Sequence, residues 1–246
     1  MRSDLFAADN LEKESAQPGM RLQNSKMLKI ELNGDCFART GSMVAYQGRV
    51  RFEALGSGGV GKWLKQKLTG EGVPLMRLSG QGDVFLAERA SDVHLIDLEP
   101  GDALTINGKN VLAFEPTLQY DIRFVQGTGM LSSAGMFNCV FSGQGRIAIT
   151  TKGTPVVLRV DQPTFADPQA AICWSASLQT GYHRAEQLGL GTLLGRHTGE
   201  AFTMSFAGQG FVVVQPSEEP PAGTVAGAGS GAQNQNQGLL GTLLNG

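Results

Sequence analysis

Apolar and polar residues alternate along several short segments of this chain, which is the pattern of a half-buried β-strand. The alternation is clean in residues 28–32 (Leu-Lys-Ile-Glu-Leu) and less regular in residues 93–98. Turn-forming pairs separate such segments, among them Gly-Asp at 101–102 and Asn-Gly at 107–108. The pattern predicts a mainly β fold built from many short strands, with short helical insertions.

A Gly-Gln-Gly triplet occurs three times, each time after a hydrophobic residue and a small one and before an apolar run. The first glycines are separated by 63 residues (80 to 143) and 65 residues (143 to 208). Glycine adopts positive φ at little cost, so each triplet is predicted to be a structural turn or bulge that enters a buried strand. The turn glycines are Gly80, Gly82, Gly143, Gly145, Gly208 and Gly210.

Two further landmarks keep the same order and support an internal repeat. An aromatic residue preceded by a small one stands ahead of each triplet, at Tyr46, Phe114 and Trp174. An aspartate lies 11, 12 or 13 residues before each aromatic, at Asp35, Asp102 and Asp161. These landmarks predict units of about 28–92, 93–155 and 156–217. We do not expect one unit to bury a core alone, so the prediction is a single pseudo-threefold domain over residues 28–215.

The two ends differ from the middle. Residues 1–27 are polar and uneven, which predicts an N-terminal arm that is partly disordered. Residues 216–246 form a tail whose Pro, Gly, Gln and Asn content cannot fill a core, and it ends in an apolar hook. The hook either docks on a protein surface or is an accident of composition. Its candidate interaction residues are Leu240, Leu243 and Leu244.

A basic segment follows the first glycine-rich stretch. Residues 62–68 read Lys-Trp-Leu-Lys-Gln-Lys-Leu, which predicts one or two turns of amphipathic helix. Trp63, Lys62 and Lys65 are candidate interaction residues, and stacking on RNA is one chemistry open to them. A solvated helix face is the other interpretation. Three lysines support at most peripheral membrane contact.

Charge and composition exclude several classes of function. The formal net charge is −2, so no bulk attraction draws the chain to nucleic acid. No apolar run reaches the ~18–20 residues of a membrane helix, and the N-terminus has no apolar signal core. We therefore expect a cytoplasmic protein. The three cysteines are widely spaced, which predicts free, buried thiols.

The sequence lacks the residue types and spacings of the catalytic sites considered. The histidines, at 94, 183 and 197, form no pair with metal-ligand spacing, and His94 is predicted to be a hydrogen-bonded strand residue. Ser57 lacks a nucleophile elbow, and no hydroxyl residue follows Lys62 as a phosphate loop requires. We expect no enzymatic activity, no cofactor and no metal.

These features together resemble the altered-inheritance-of-mitochondria protein twenty-four family. The resemblance rests on the Gly-Gln-Gly strands, the Gly-Asp turns at 34–35 and 101–102, residues 111–114 and the glycine-rich insertion loops, and it covers about 28–215. It implies a double-stranded β-helix type of fold, grouped with the trp RNA-binding attenuation protein. The family has no established enzymatic activity or catalytic residues. Its mitochondrial members are linked to inner-membrane organisation, a role that this chain, without a transit-peptide signature, does not inherit directly.

Three functions remain open at this point. The first is a non-enzymatic β-scaffold that associates with itself and with protein partners. The second is a β module that binds a small apolar ligand or a lipid. The third is RNA binding, which rests on analogy of fold alone.

Overall fold

The computed structural model of the chain describes residues 3–13, 17–55, 73–124, 137–184 and 202–217. The prediction of a mainly β fold is confirmed. Helical structure in these ranges consists of three-residue 3-10 turns at Asp4–Phe6, Ala8–Asn10 and Gly108–Asn110. The strands are β1 Gly19–Asn24, β2 Met27–Arg39, β3 Met43–Ala54, β4 Leu75–Leu86, β5 Asp92–Leu98, β6 Ala103–Asn107, β7 Val111–Phe114, β8 Gln119–Phe124, β9 Phe137–Ser142, β10 Gly145–Thr151, β11 Val156–Val160, β12 Thr164–Ala166, β13 Ala171–Ser175, β14 Gln179–Arg184, β15 Phe202–Ala207 and β16 Gly210–Val214.

The strands pair antiparallel in three sheets. A seven-stranded sheet has the order β3-β4-β2-β7-β10-β5, and β1 adds to β2. A six-stranded sheet has the order β11-β16-β13-β6-β9-β8, and a three-stranded sheet the order β12-β15-β14. The seven-stranded sheet curls, so that β5 at one end approaches the loop between β1 and β2. There the amide of Val93 on β5 donates to the carbonyl of Ser25 at 2.8 Å.

Three apolar clusters hold the sheets together in a sandwich-like fold. The first contains Phe114 and Ile147 from the seven-stranded sheet and Ile106 and Phe141 from the six-stranded sheet. The second lies within the curled seven-stranded sheet. The third joins the six-stranded and three-stranded sheets, with Trp174 at its centre. Burial of this apolar surface is the main stabilising contribution.

The predicted strand-entry turns differ between the three triplets. Gly143 and Gly208 lie in bends, the first between β9 and β10 and the second between β15 and β16. The prediction of a turn at Gly80 and Gly82 is wrong, because both residues lie inside the continuous strand β4. Their φ angles of +123° and +148° let β4 bend without ending.

Glycines at this bend are required by a close approach of backbones as well as by φ. A Cβ at Gly80 would overlap the carbonyl oxygen of Arg49, and one at Gly82 that of Gln47. Facing Gly82 across the pair is Gly48, with φ +90°. The first triplet therefore marks where β3 and β4 press together rather than a loop.

The arm predicted over residues 1–27 is partly in the sheet. Residues 19–24 form β1, which pairs with β2 from Gly19 opposite Glu31 to Asn24 opposite Met27. This strand was not predicted, because Met20 and Leu22 are its only large apolar residues and the polar Gln23 is buried beside a half-buried Leu22. The described domain thus begins ahead of residue 28. The triplication of the domain stays a prediction.

Candidate interaction surface

Strand β3 lies at the edge of the seven-stranded sheet, and β4 separates it from β2. It pairs with β4 from Met43 to Ala54, and within the described residues no strand covers its other side. Several of its apolar side chains face solvent, with Val44 55% exposed, Tyr46 49% and Met43 40%. We call residues 43–54 the β3 edge.

Exposed apolar side chains elsewhere also lie mostly on edge strands. Val156 and Val157 are 55% and 65% exposed, and they lie on β11, an edge strand of the six-stranded sheet. Phe165 lies on β12, an edge of the three-stranded sheet. Beyond the N-terminal arm, the large exposed apolar residues of the described ranges lie on or next to edge strands, except Phe211 on β16.

An edge strand with apolar side chains is prone to pairing with another chain. Its outward N–H and C=O groups lack strand partners, and natural proteins usually block such edges with charges, prolines or bulges. One irregularity, between Met43 and Ala45, interrupts the β3 edge at its start, its charged residues stand only in its second half, at 49, 51 and 53, and no proline stands in residues 43–54. Pairing through this edge would form backbone hydrogen bonds and would also bury Val44 and Tyr46.

The N-terminal arm is fastened beside this surface by a buried lysine. Lys29 on β2 is 2% exposed, and its ammonium donates to a Glu12 carboxylate oxygen at 2.7 Å and to the Lys13 carbonyl at 2.8 Å. Asp83 on β4 lies 3.3 Å from the same nitrogen. A second clasp is formed by Gln23, whose side chain bonds the Lys13 amide and the Leu11 carbonyl.

The charges of this cluster shift each other's protonation. Burial alone would lower the pKa of Lys29, but its bonds to Glu12 and Asp83 outweigh burial and hold that pKa above its ordinary value. The hydrogen bond from Lys29 in turn lowers the pKa of Glu12. A buried ammonium is tolerated only with such partners, so the arm completes the charge balance of Lys29.

We expect acid to release the arm. The pKa of Glu12 is lowered in the folded protein, so its contribution is complete above the ordinary value of 4.5 and is lost as the pH falls through the lowered pKa. The protection factor of the Lys13 amide, measured by hydrogen exchange, should fall over that range. In Glu12→Gln it should be low and much less dependent on pH. Equal protection in the variant at neutral pH would contradict this role of Glu12.

The cysteine and histidine predictions that fall on described residues are confirmed. Cys36, Cys139 and Cys173 are free and buried, and burial raises the pKa of each thiol to about 12. His94 is hydrogen-bonded on β5, with its Nε2 2.9 Å from the Thr151 hydroxyl. Burial lowers the pKa of His94. Burial therefore keeps the three thiols protonated at neutral pH.

The other candidate interaction residues lie outside the described residues. This applies to Lys62, Trp63 and Lys65 in the basic segment and to the three leucines of the predicted hook. The β3 edge was not predicted as a surface, because the sequence does not state which strand ends a sheet. The signal that comes closest is the exposed pair Arg49 and Arg51, which stand in a strand whose first four residues are apolar.

Neither a metal-binding cluster nor a membrane-spanning helix is found in the described ranges. There, no three His, Cys, Asp or Glu side chains are grouped to hold a metal ion. Of the helices in the same ranges, none has the length and apolar content to cross a membrane.

Comparison with known proteins places the chain in a family. The family model described as mitochondrial biogenesis AIM24 matches residues 20–217. The crystal structure of protein SPYM3_0169 from Streptococcus pyogenes, a structural genomics target, superposes with a TM-score of 0.64 at 20% identity. That match covers 82% of this chain and 94% of the streptococcal chain, and it shows a shared fold. A separate search of curated proteins found no match.

Proposed function

The chain belongs to the mitochondrial biogenesis AIM24 family, and from that premise we propose that it is a non-enzymatic β-scaffold. It acts by contact with protein partners, including further copies of itself. The contact surfaces are the edges of its sheets, with the β3 edge as the principal one.

The observation that carries this proposal is the distribution of exposed apolar side chains. Val44 and Tyr46 occupy the β3 edge, and Val156 and Val157 occupy the β11 edge of a different sheet. A contiguous apolar patch is uncommon on a monomer and usually marks an interaction site. Two unlike edges favour a head-to-tail contact, in which the β3 edge of one copy meets the β11 edge of the next.

The alternative of an apolar-ligand module finds less support. Of the clefts in the described part of the chain, one is lined by Arg49, Arg51, Ser79, Gly80 and Gln81. Another, of about 630 Å³, is lined largely by polar residues around Arg146 and Glu115. An apolar ligand prefers a mostly apolar enclosure. Apolar-ligand binding, RNA binding and cytoplasmic location stay predictions.

Light scattering after size exclusion tests the proposal. At micromolar concentration we expect the wild-type protein to have a mass above that of the 26.0 kDa chain. A Val44→Lys/Tyr46→Lys variant should return to the monomer mass, because two ammonium groups would have to be buried in the contact. The control is Gln144→Lys, which adds a charge in the exposed bend between β9 and β10.

Two results would count against the proposed contact. A wild-type protein that runs as a monomer at all concentrations tested would remove self-association. An oligomer that survives Val44→Lys/Tyr46→Lys unchanged would remove the β3 edge as its contact surface.

A further inference from the structure

The bend of β3 and β4 carries a cleft with two arginines that form no ion pair within the described part of the chain. Arg49 and Arg51 lie on β3 opposite Gln81 and Ser79 of β4, so all four side chains share one face of the sheet. The cleft that they line with Gly80 has a volume of about 320 Å³. Gly80 lines the cleft with backbone atoms only.

Most other charges on this face pair with each other, and Glu53, two residues after Arg51 on β3, is a carboxylate that forms no ion pair among the described residues. Arg77 donates to the Asp35 carboxylate at 2.6 Å, and Glu53 stands opposite Arg77 in the register. Asp83 lies 3.3 Å from the Lys29 ammonium. Among the described residues, no carboxylate forms an ion pair with Arg49 or Arg51.

Two uncompensated guanidinium groups at this spacing favour an anion between them. Alternate residues of a strand are roughly 6.5–7 Å apart, so the two side chains reach the same small volume. Their mutual repulsion falls when a negative group enters. A guanidinium binds oxyanions through two parallel N–H donors, and a phosphate group can accept from both arginines at once.

The neighbouring polar groups suit the same ligand. The Ser79 hydroxyl can donate to a third phosphate oxygen. The Gln81 amide nitrogen is held by the Asn33 side-chain oxygen at 3.1 Å, which fixes the amide at the rim of the cleft. We propose that this cleft is a binding site for a phosphate group, carried by a soluble phosphate compound or by a lipid headgroup.

This site is separate from the contact proposed above. Strand pairing at the β3 edge uses backbone groups that lie in the plane of the sheet, whereas the arginine side chains stand on its face. Phosphate binding can therefore hold in a protein that is a monomer, and self-association can hold without it.

The test uses two probes of the same chemistry. Calorimetric titration with inorganic phosphate measures the soluble source. Flotation with phosphatidylcholine vesicles that contain phosphatidic acid, against phosphatidylcholine alone, measures the headgroup source. In Arg49→Ala/Arg51→Ala we expect affinity for the recognised probe to fall about tenfold or more, since the charge-assisted hydrogen bonds of both guanidinium groups are lost.

Two further variants separate geometry from charge. Arg89→Ala/Arg123→Ala removes the same charge from exposed positions between β4 and β5 and on β8 and should leave binding unchanged. Arg49→Lys/Arg51→Lys keeps the charge and should bind more weakly than wild type, because lysine lacks the paired donors. Unfolding curves confirm that each variant is folded.

The outcomes decide the proposal. Binding of either probe that depends on Arg49 and Arg51 supports it, and the probe that binds identifies the source of the phosphate. Failure of the wild-type protein to bind both probes would overturn it, as would binding that Arg49→Ala/Arg51→Ala leaves intact.

Discussion

Gly82→Ala should destabilise the protein by about 3–4 kcal/mol, far more than an ordinary glycine substitution. The new Cβ would overlap the Gln47 carbonyl oxygen, and φ at Gly82 is +148°, so β3 would have to move away from β4. Urea unfolding followed by far-UV circular dichroism measures the loss. The β3 edge should loosen together with the fold.

Gly41→Ala is the matched control. Gly41 has φ +85° in the turn between β2 and β3, but a Cβ there would meet no atom within 4 Å. Only backbone strain is added, at about 1–2 kcal/mol. Equal losses for the two variants would show that φ, and not the close approach of β3 and β4, decides the need for glycine.

Phe114→Ala should cost about 3–5 kcal/mol of the free energy of unfolding. The ring is fully buried, and its centroid lies 4.9 Å from those of Tyr120 and Phe141 and 5.2 Å from that of Phe37. Removal of the ring leaves a cavity between the seven-stranded and six-stranded sheets. The measurement is again urea unfolding.

Tyr46→Ala provides the comparison, because Tyr46 is the corresponding aromatic landmark in the sequence. Its ring is 49% exposed and touches Phe52 at 5.2 Å between centroids, so we expect a loss of about 1 kcal/mol or less. A loss as large as that of Phe114→Ala would mean that Tyr46 is buried in solution by something other than the described chain.

These two aromatics show how far sequence reasoning carries. Both follow a small residue and precede a Gly-Gln-Gly triplet, and the β class that such patterns predict is confirmed. Burial is decided later, by sheet order: Phe114 ends a central strand, whereas Tyr46 lies on an edge strand. Local sequence describes a strand's faces but not its neighbours, so the β3 edge could not be predicted.

The Gly-Gln-Gly triplets show the same limit of local sequence for the prediction of turns. Gly143 and Gly208 lie in bends between strands, but Gly80 and Gly82 lie within β4. In each case glycine is needed for positive φ, and what differs is whether the flanking strands continue in one sheet. Gly80 pairs with Gly34 of β2, so strand pairing continues through the bend. No local sequence signal predicts this pairing.

The central claim is that the β3 edge is a contact surface, and amide hydrogen exchange along residues 43–54 tests it most directly. In an edge strand every second amide points away from its partner strand and exchanges freely. We predict that these outward amides are protected at high protein concentration and lose protection on dilution and in Val44→Lys/Tyr46→Lys. Fast exchange of the outward amides at every concentration would contradict the claim.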